Sequence, residues 1–174
     1  MKKLYLLIIT ALTISNVAFS QTMEKGTLMF GAGVGPSMNY LGLTGTSTPA
    51  IRLTGEKGMF EIGPGVLALG GEIGMFNQTY KSSSYYYHYT ASFLSLIFAG
   101  RAAYYYNFEE LLKTPQFNAY AGSALGIRIV TNDQAYPHFG AFVGANWFLT
   151  KKFAGFVEAG YDMSWGTIGF NFIL

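Results

Sequence analysis

The chain has two histidines and no cysteine, so few reactions are open to it. His88 follows Ser82, Ser83 and Ser84. A histidine within hydrogen-bond reach of a serine can act as base for a hydroxyl nucleophile. His138 falls in an expected outer hairpin, opposite Asp133. A lone histidine in a tyrosine-rich stretch such as Tyr85–Tyr89 is more often an interface residue than a base. Two histidines without ligand spacing, and with no thiolate, make a weak case for a metal site. Gly31-Ala32-Gly33-Val34-Gly35 has the glycine spacing of a phosphate loop, but that motif must open a helix. Here Pro36 and a strand pattern follow it. No catalytic, cofactor-binding or metal-binding residues are expected, and the chain is not expected to be an enzyme.

Six charged residues are more informative: Arg52, Glu56, Glu72, Arg101, Arg128 and Glu158. Each lies in an alternating segment, on the face that also carries the glycines. Three are basic and three acidic, which suits ion pairing across an enclosed space.

The elements that must position them are strands. From 117 to 129, Phe117, Ala119, Ala121, Leu125, Ile127 and Ile129 alternate with Asn118, Tyr120, Gly122, Gly126 and Arg128. Period-two alternation marks a strand with two unlike faces. The pattern recurs at 27–35, 138–149, 153–163 and 167–174, and less regularly at 50–60, 66–80 and 86–107. In 138–149, Phe139, Ala141, Val143, Ala145, Trp147 and Leu149 alternate with His138, Gly140, Phe142, Gly144, Asn146 and Phe148. In 153–163 the apolar face runs Phe153, Gly155, Val157, Ala159, Tyr161, Met163, and the opposite face holds Glu158 and Asp162. In 86–107, Phe93 and Ile97 fall on the polar side, which a bulge or inward packing would explain. Eight strands with hairpin connections give an all-β, eight-stranded antiparallel up-and-down barrel. Gly63-Pro64-Gly65, Leu149–Phe153 and Phe108–Gln116 (the last with room for a helical turn) are expected at one end. Short loops at 41–49, 80–86, 131–137 and 164–166 are expected at the other.

Composition decides which face meets which solvent. Apolar residues make up 51% and charged residues 11% of the chain. Soluble domains carry about 25% charged residues, so there is too little charge here for a wet outer surface. A soluble lipocalin-type barrel is apolar inside and charged outside, and a membrane barrel is the reverse. Glycine with a few long charges suits a narrow interior, and the uncharged opposite face suits lipid over strands of about 9–11 residues. Aromatics cluster at both expected interfaces: Tyr104, Tyr106, Phe108, Trp147 and Phe153 at one, Tyr85–Tyr87, Tyr89, Tyr161 and Trp165 at the other.

Residues 1–20 are expected to be a secretory signal peptide, leaving 21–174 as the barrel. Met1-Lys2-Lys3 is basic, Leu4 to Ile14 is apolar, and Ala18-Phe19-Ser20 ends in small residues. The apolar run stops short of the roughly 20 residues a spanning helix needs. The formal net charge of +2 comes from Lys2 and Lys3, so the mature chain is expected to be neutral. It lacks the basic stripe of a nucleic-acid binder.

With these segments in view, the chain resembles the small eight-stranded outer-membrane barrels, of the OmpX and OmpA membrane-domain kind, within the porin-like outer-membrane β-barrel sequences. The stretches that carry the likeness are KGTLMFGAGVG (25–35), AGRAAYYYNF (99–108), AYAGSALGIRIV (119–130), FVGANWFLTKKFAGFVEAGYDMS (142–164) and TIGFNFIL (167–174). All are barrel-building patterns, and none is catalytic. The resemblance implies residence in the bacterial outer membrane, contact with its lipids and lipopolysaccharide, and handling by periplasmic chaperones and the barrel-assembly machinery. It implies roles in envelope integrity or surface interaction and names no surface ligand. It also implies a C-terminal assembly signal, matched by Thr167, Gly169, Phe172 and Leu174, although the final Leu stands where an aromatic is commoner. Some barrels of this size modify lipid A as deacylases or acyltransferases, and a narrow pore is a further alternative. The deacylase motif does not match around His88 or His138, and eight strands leave an interior only wide enough for side chains.

Overall fold

The computed structural model describes residues 23–38, 45–84, 87–108, 117–131 and 133–174. The expected signal segment with its cleavage point, the helical turn before Gln116, and the side chains of Ser82–Ser84, Tyr85–Tyr87 and His88 lie outside the described residues.

The strands are β1 (Leu28–Gly35), β2 (Gly45–Ser47), β3 (Ala50–Ile62), β4 (Gly65–Ser84), β5 (Tyr87–Asn107), β6 (Phe117–Val130), β7 (Ala135–Thr150), β8 (Phe153–Tyr161) and β9 (Gly166–Ile173). β2 and β3 act as one stave. Both pair with β4, and the break between them falls at Thr48-Pro49, where proline offers no N–H to the ladder. Thr48 bridges the gap: its N–H donates to the Asn77 carbonyl at 2.9 Å and its Oγ1 accepts from the Asn77 N–H at 2.9 Å. Eight staves result. Each is antiparallel to its sequence neighbour, and β1 closes the ring on β9 with Met29 opposite Ile173 and Val34 opposite Ile168. The sheet is a closed up-and-down barrel without helices among the described residues.

The connections at one end are tight. Gly63, at φ 57°, turns β3 into β4, a backbone angle that glycine alone adopts without cost. Lys151-Lys152 turns β7 into β8. The opposite end departs from expectation. The region expected as loop 80–86 is mostly strand, because β4 and β5 stay paired out to Ser84 and Tyr87. Their polar Ser/Thr/Tyr sequence looked like a loop, but strand pairing is made by backbone groups and tolerates polar side chains. β2 likewise falls within the expected loop 41–49, and β7 begins at Ala135, within the expected loop 131–137. β6 leaves β5 at Ser95 and β3 leaves β4 at Met75, so the β4–β5 ribbon runs on past both.

Side chains sort by alternation. Leu125 (62% exposed), Val143 (59%) and Ile168 (62%) point outward with Phe30, Leu53, Ile73, Phe139, Val157 and Phe170, while Arg52, Glu56, Glu72, Arg101, Arg128 and Glu158 turn inward; Lys57 and Glu61 on β3 are exposed. β5 has no bulge at Phe93–Ile97, and Ile97 packs inside with Ala50, Phe76 and Met163. Met163, expected on the outer face, is fully buried. β8 ends at Tyr161, so alternation stops there, and Asp162, Met163 and Ser164 all fold into the barrel mouth. Met163 is held there by its carbonyl, which accepts the Met38 N–H at 3.0 Å.

Candidate functional site

The interior has three zones along the strands. Nearest the tight turns is an apolar and aromatic cluster that includes Met23, Met29, Val66, Tyr105, Tyr120 and Phe148. At the mouth is the smaller cluster of Ala50, Phe76, Ile97 and Met163. The charges lie between them: on β4, Glu72 falls between Ala68 and Phe76, and on β5, Arg101 falls between Tyr105 and Ile97.

All six charged residues singled out from the sequence are buried. Arg101 is the hub. Its Nε donates to Glu56, its Nη1 to Glu72 Oε2 at 2.9 Å and its Nη2 to Glu158. Its guanidinium also lies 3.5 Å from the centroid of the Phe142 ring, a cation–π contact. Arg52 Nη1 donates to Glu158 Oε1 and, at 3.1 Å, to Asp162 Oδ2. Two tyrosines complete the shell: Tyr105 donates to Glu56 Oε2 at 2.6 Å and Tyr120 to Glu158 Oε2 at 3.0 Å. Arg128 lies in the same interior, 5.1 Å from the Tyr136 ring centroid. Gly144, paired with both Tyr120 and Glu158, leaves room for the Tyr120 ring to lie across it; a Cβ there would strike the ring.

Two members of the network were not in that set of six. Asp162 and His138 meet inside the mouth, His138 Nε2 to Asp162 Oδ1 at 2.8 Å. His138 is therefore not the partner of Asp133, which instead accepts from the Tyr136 hydroxyl at 2.8 Å. Both residues stood on the inward face by alternation. Their meeting depends on barrel closure and on the fold of the 162–164 turn, and local spacing carries neither. With Asp162 included, the interior holds four carboxylates and three guanidiniums. The balance of three to three expected from the sequence becomes an excess of one negative charge when His138 is neutral.

A buried ladder of amides lies nearer the tight turns. Asn146 donates to Asn118 at 2.9 Å, and Asn171 donates to Asn146 at 2.8 Å. On the last strand, Thr167 faces inward, Gly169 is half-buried, and Phe172 and Leu174 face outward. Gly169 approaches the β1 backbone at Ala32-Gly33 more closely than a Cβ would allow. The network has donors and acceptors in register and no solvent-exposed nucleophile. Chemically, it ties β3, β4, β5, β6, β7 and β8 together through their interior, and the amide ladder adds β9. No protein family, curated protein or solved structure matches this chain.

Proposed function

We propose that this protein is a non-enzymatic barrel of the bacterial outer membrane, with a structural or surface-interaction role in the cell envelope. The observation that carries the proposal is the inverted polarity. Large apolar side chains cover the outer wall while arginines and carboxylates fill the interior, an arrangement that is unfavourable in water and favourable in lipid. An apolar surface of that extent is far beyond what soluble monomers expose.

The resemblance to small OmpX-like and OmpA-like barrels supports the same assignment. The partners it implies are outer-membrane lipids and lipopolysaccharide, with periplasmic chaperones and the assembly machinery during biogenesis. A narrow pore is disfavoured by the two apolar clusters that flank the charges. Lipid A chemistry is disfavoured because His138 is engaged by Asp162 inside the barrel rather than by a serine at the rim.

The test is fractionation of expressing cells, followed by assay of the purified barrel. Recovery in the outer membrane with Gln21 at the N-terminus, unchanged lipid A mass after incubation, and negligible conductance in a planar bilayer are the expected results. An uncleaved chain in the inner membrane would overturn the localisation. A mass change in lipid A would overturn the non-enzymatic role, and a large steady conductance would make the protein a pore.

A further inference from the structure

Glu72 on β4, His138 on β7 and Asp162 in the turn after β8 bring three ligand atoms to one point in the interior. One ligand atom from each residue lies within 4.8 Å of the other two; His138 Nε2 is 2.8 Å from Asp162 Oδ1 and 3.8 Å from Glu72 Oε1. Both carboxylates are oriented by an arginine through their other oxygen: Glu72 Oε2 accepts from Arg101 at 2.9 Å, and Asp162 Oδ2 from Arg52 at 3.1 Å. Metal ligands are commonly held in this way by partners behind them, which set the direction of the remaining lone pairs.

An independent observation points to a missing partner. The Glu72 side chain is fully buried, yet its Oε1 accepts no hydrogen bond. His138 Nε2 lies 3.8 Å from this oxygen, beyond hydrogen-bond reach. A buried carboxylate oxygen left in this way is costly.

We propose that Glu72, His138 and Asp162 form a binding site for one divalent transition-metal ion inside the barrel. Ligand distances of about 2.0–2.1 Å in a tetrahedral site put ligand atoms roughly 3.3 Å apart. The two separations from His138 Nε2, 2.8 Å and 3.8 Å, straddle that value. The two carboxylates, within 4.8 Å of one another, close by up to about 1.5 Å to seat the ion. One imidazole with two carboxylates suits zinc, manganese, iron or cobalt. It does not suit calcium, which takes six to eight oxygens. The ion binds the neutral imidazole and competes with a proton that would otherwise bridge His138 and Asp162. Arg52 and Arg101 repel it, but Glu56, Glu72, Glu158 and Asp162 outnumber them in the same network. The site depends on barrel closure and does not depend on which solvent meets the outer wall.

The test is isothermal titration of the refolded mature chain in detergent with zinc chloride, and separately with cobalt chloride. One equivalent should bind. His138→Gln and Glu72→Gln should each weaken binding at least tenfold, while His88→Gln, at the only other histidine in the sequence, should leave it unchanged. Glu72→Gln keeps an acceptor for Arg101, so it preserves the fold if His138→Gln does not. Zinc should raise the thermal midpoint of the wild type and not that of Glu72→Gln. Absence of saturable binding, unaltered binding by Glu72→Gln, or loss of binding in His88→Gln would each overturn the proposal.

Discussion

Replacing Arg101 with methionine tests whether the interior is dry and held by its charges. Methionine fills much of the same volume and keeps an apolar contact with Phe142, so the loss is mainly electrostatic. Three carboxylates lose a donor. Glu56 still has Tyr105, and Glu158 still has Arg52 and Tyr120. Glu72 loses the hydrogen bond on Oε2 while Oε1 already accepts none, so a fully buried carboxylate is left without a hydrogen-bond donor. Removing one partner from a buried ion pair costs about 3–5 kcal/mol. Each 1.4 kcal/mol is a factor of ten, so the folding equilibrium should fall by about 10²- to 10⁴-fold. Against a total stability of about 5–15 kcal/mol, that is a third or more in most cases. Urea unfolding in detergent, followed by the fluorescence of Trp147 and Trp165, reads the loss. Adding Glu72→Gln to Arg101→Met should recover part of it, with a coupling of about 0.5–3 kcal/mol. Lys151→Ala, in the exposed β7–β8 turn, should leave the midpoint unmoved. If Arg101→Met and Lys151→Ala unfold at the same denaturant concentration, the interior is solvated and its charges do not hold the staves together.

Deleting Phe172–Leu174 removes the end of β9, where the Leu174 N–H donates to the Leu28 carbonyl and Ile173 to that of Lys152, both at 2.9 Å. The truncated chain should fail to close and should lose heat-modifiable migration on a gel; normal migration would contradict the role of this strand in closure. Gly144→Leu should push the Tyr120 ring off Glu158 and cost about 1–3 kcal/mol by overpacking. The corresponding change at outward-facing Gly155, where a Cβ meets only ordinary contacts, should cost far less in the same urea assay.

Period-two alternation was enough to assign the inner and outer faces of the strand segments, because side-chain direction follows directly from strand geometry. The faces of 117–129 and 138–149 are sorted as the sequence sorts them, with Asn118, Tyr120, Arg128, His138 and Asn146 inward. Alternation failed where the strand itself stops. Met163 continues the numerical pattern past Tyr161, but the backbone there is a turn, and Met163 seals the mouth. Ile97 broke the binary pattern for a different reason: the interior is not uniformly polar, and above the charges it takes an apolar side chain. Strand lengths were misjudged at the Ser/Tyr-rich end of β4 and β5, where no change of face marks the strand's end. The pairing of His138 with Asp162, 24 residues apart and on different staves, depends on register and on the turn that follows β8. Alternation gives a residue's face and leaves its height in the barrel open, so the six charges were legible as a set, but their partners were not.

Spin labelling tests the central claim most directly, because the chain has no native cysteine to remove. Single cysteines at Leu125, Val143, Val157 and Ile168 on the outer wall, and one at Lys151 in the turn, can be labelled after the mature chain folds into phospholipid vesicles. Collision rates with oxygen, which concentrates in lipid, and with a water-soluble nickel chelate then place each label. The account predicts that the four wall labels relax with oxygen and are shielded from nickel, while the Lys151 label meets nickel freely. Wall labels that meet nickel as readily as Lys151 would show that the apolar face of this barrel does not lie in lipid.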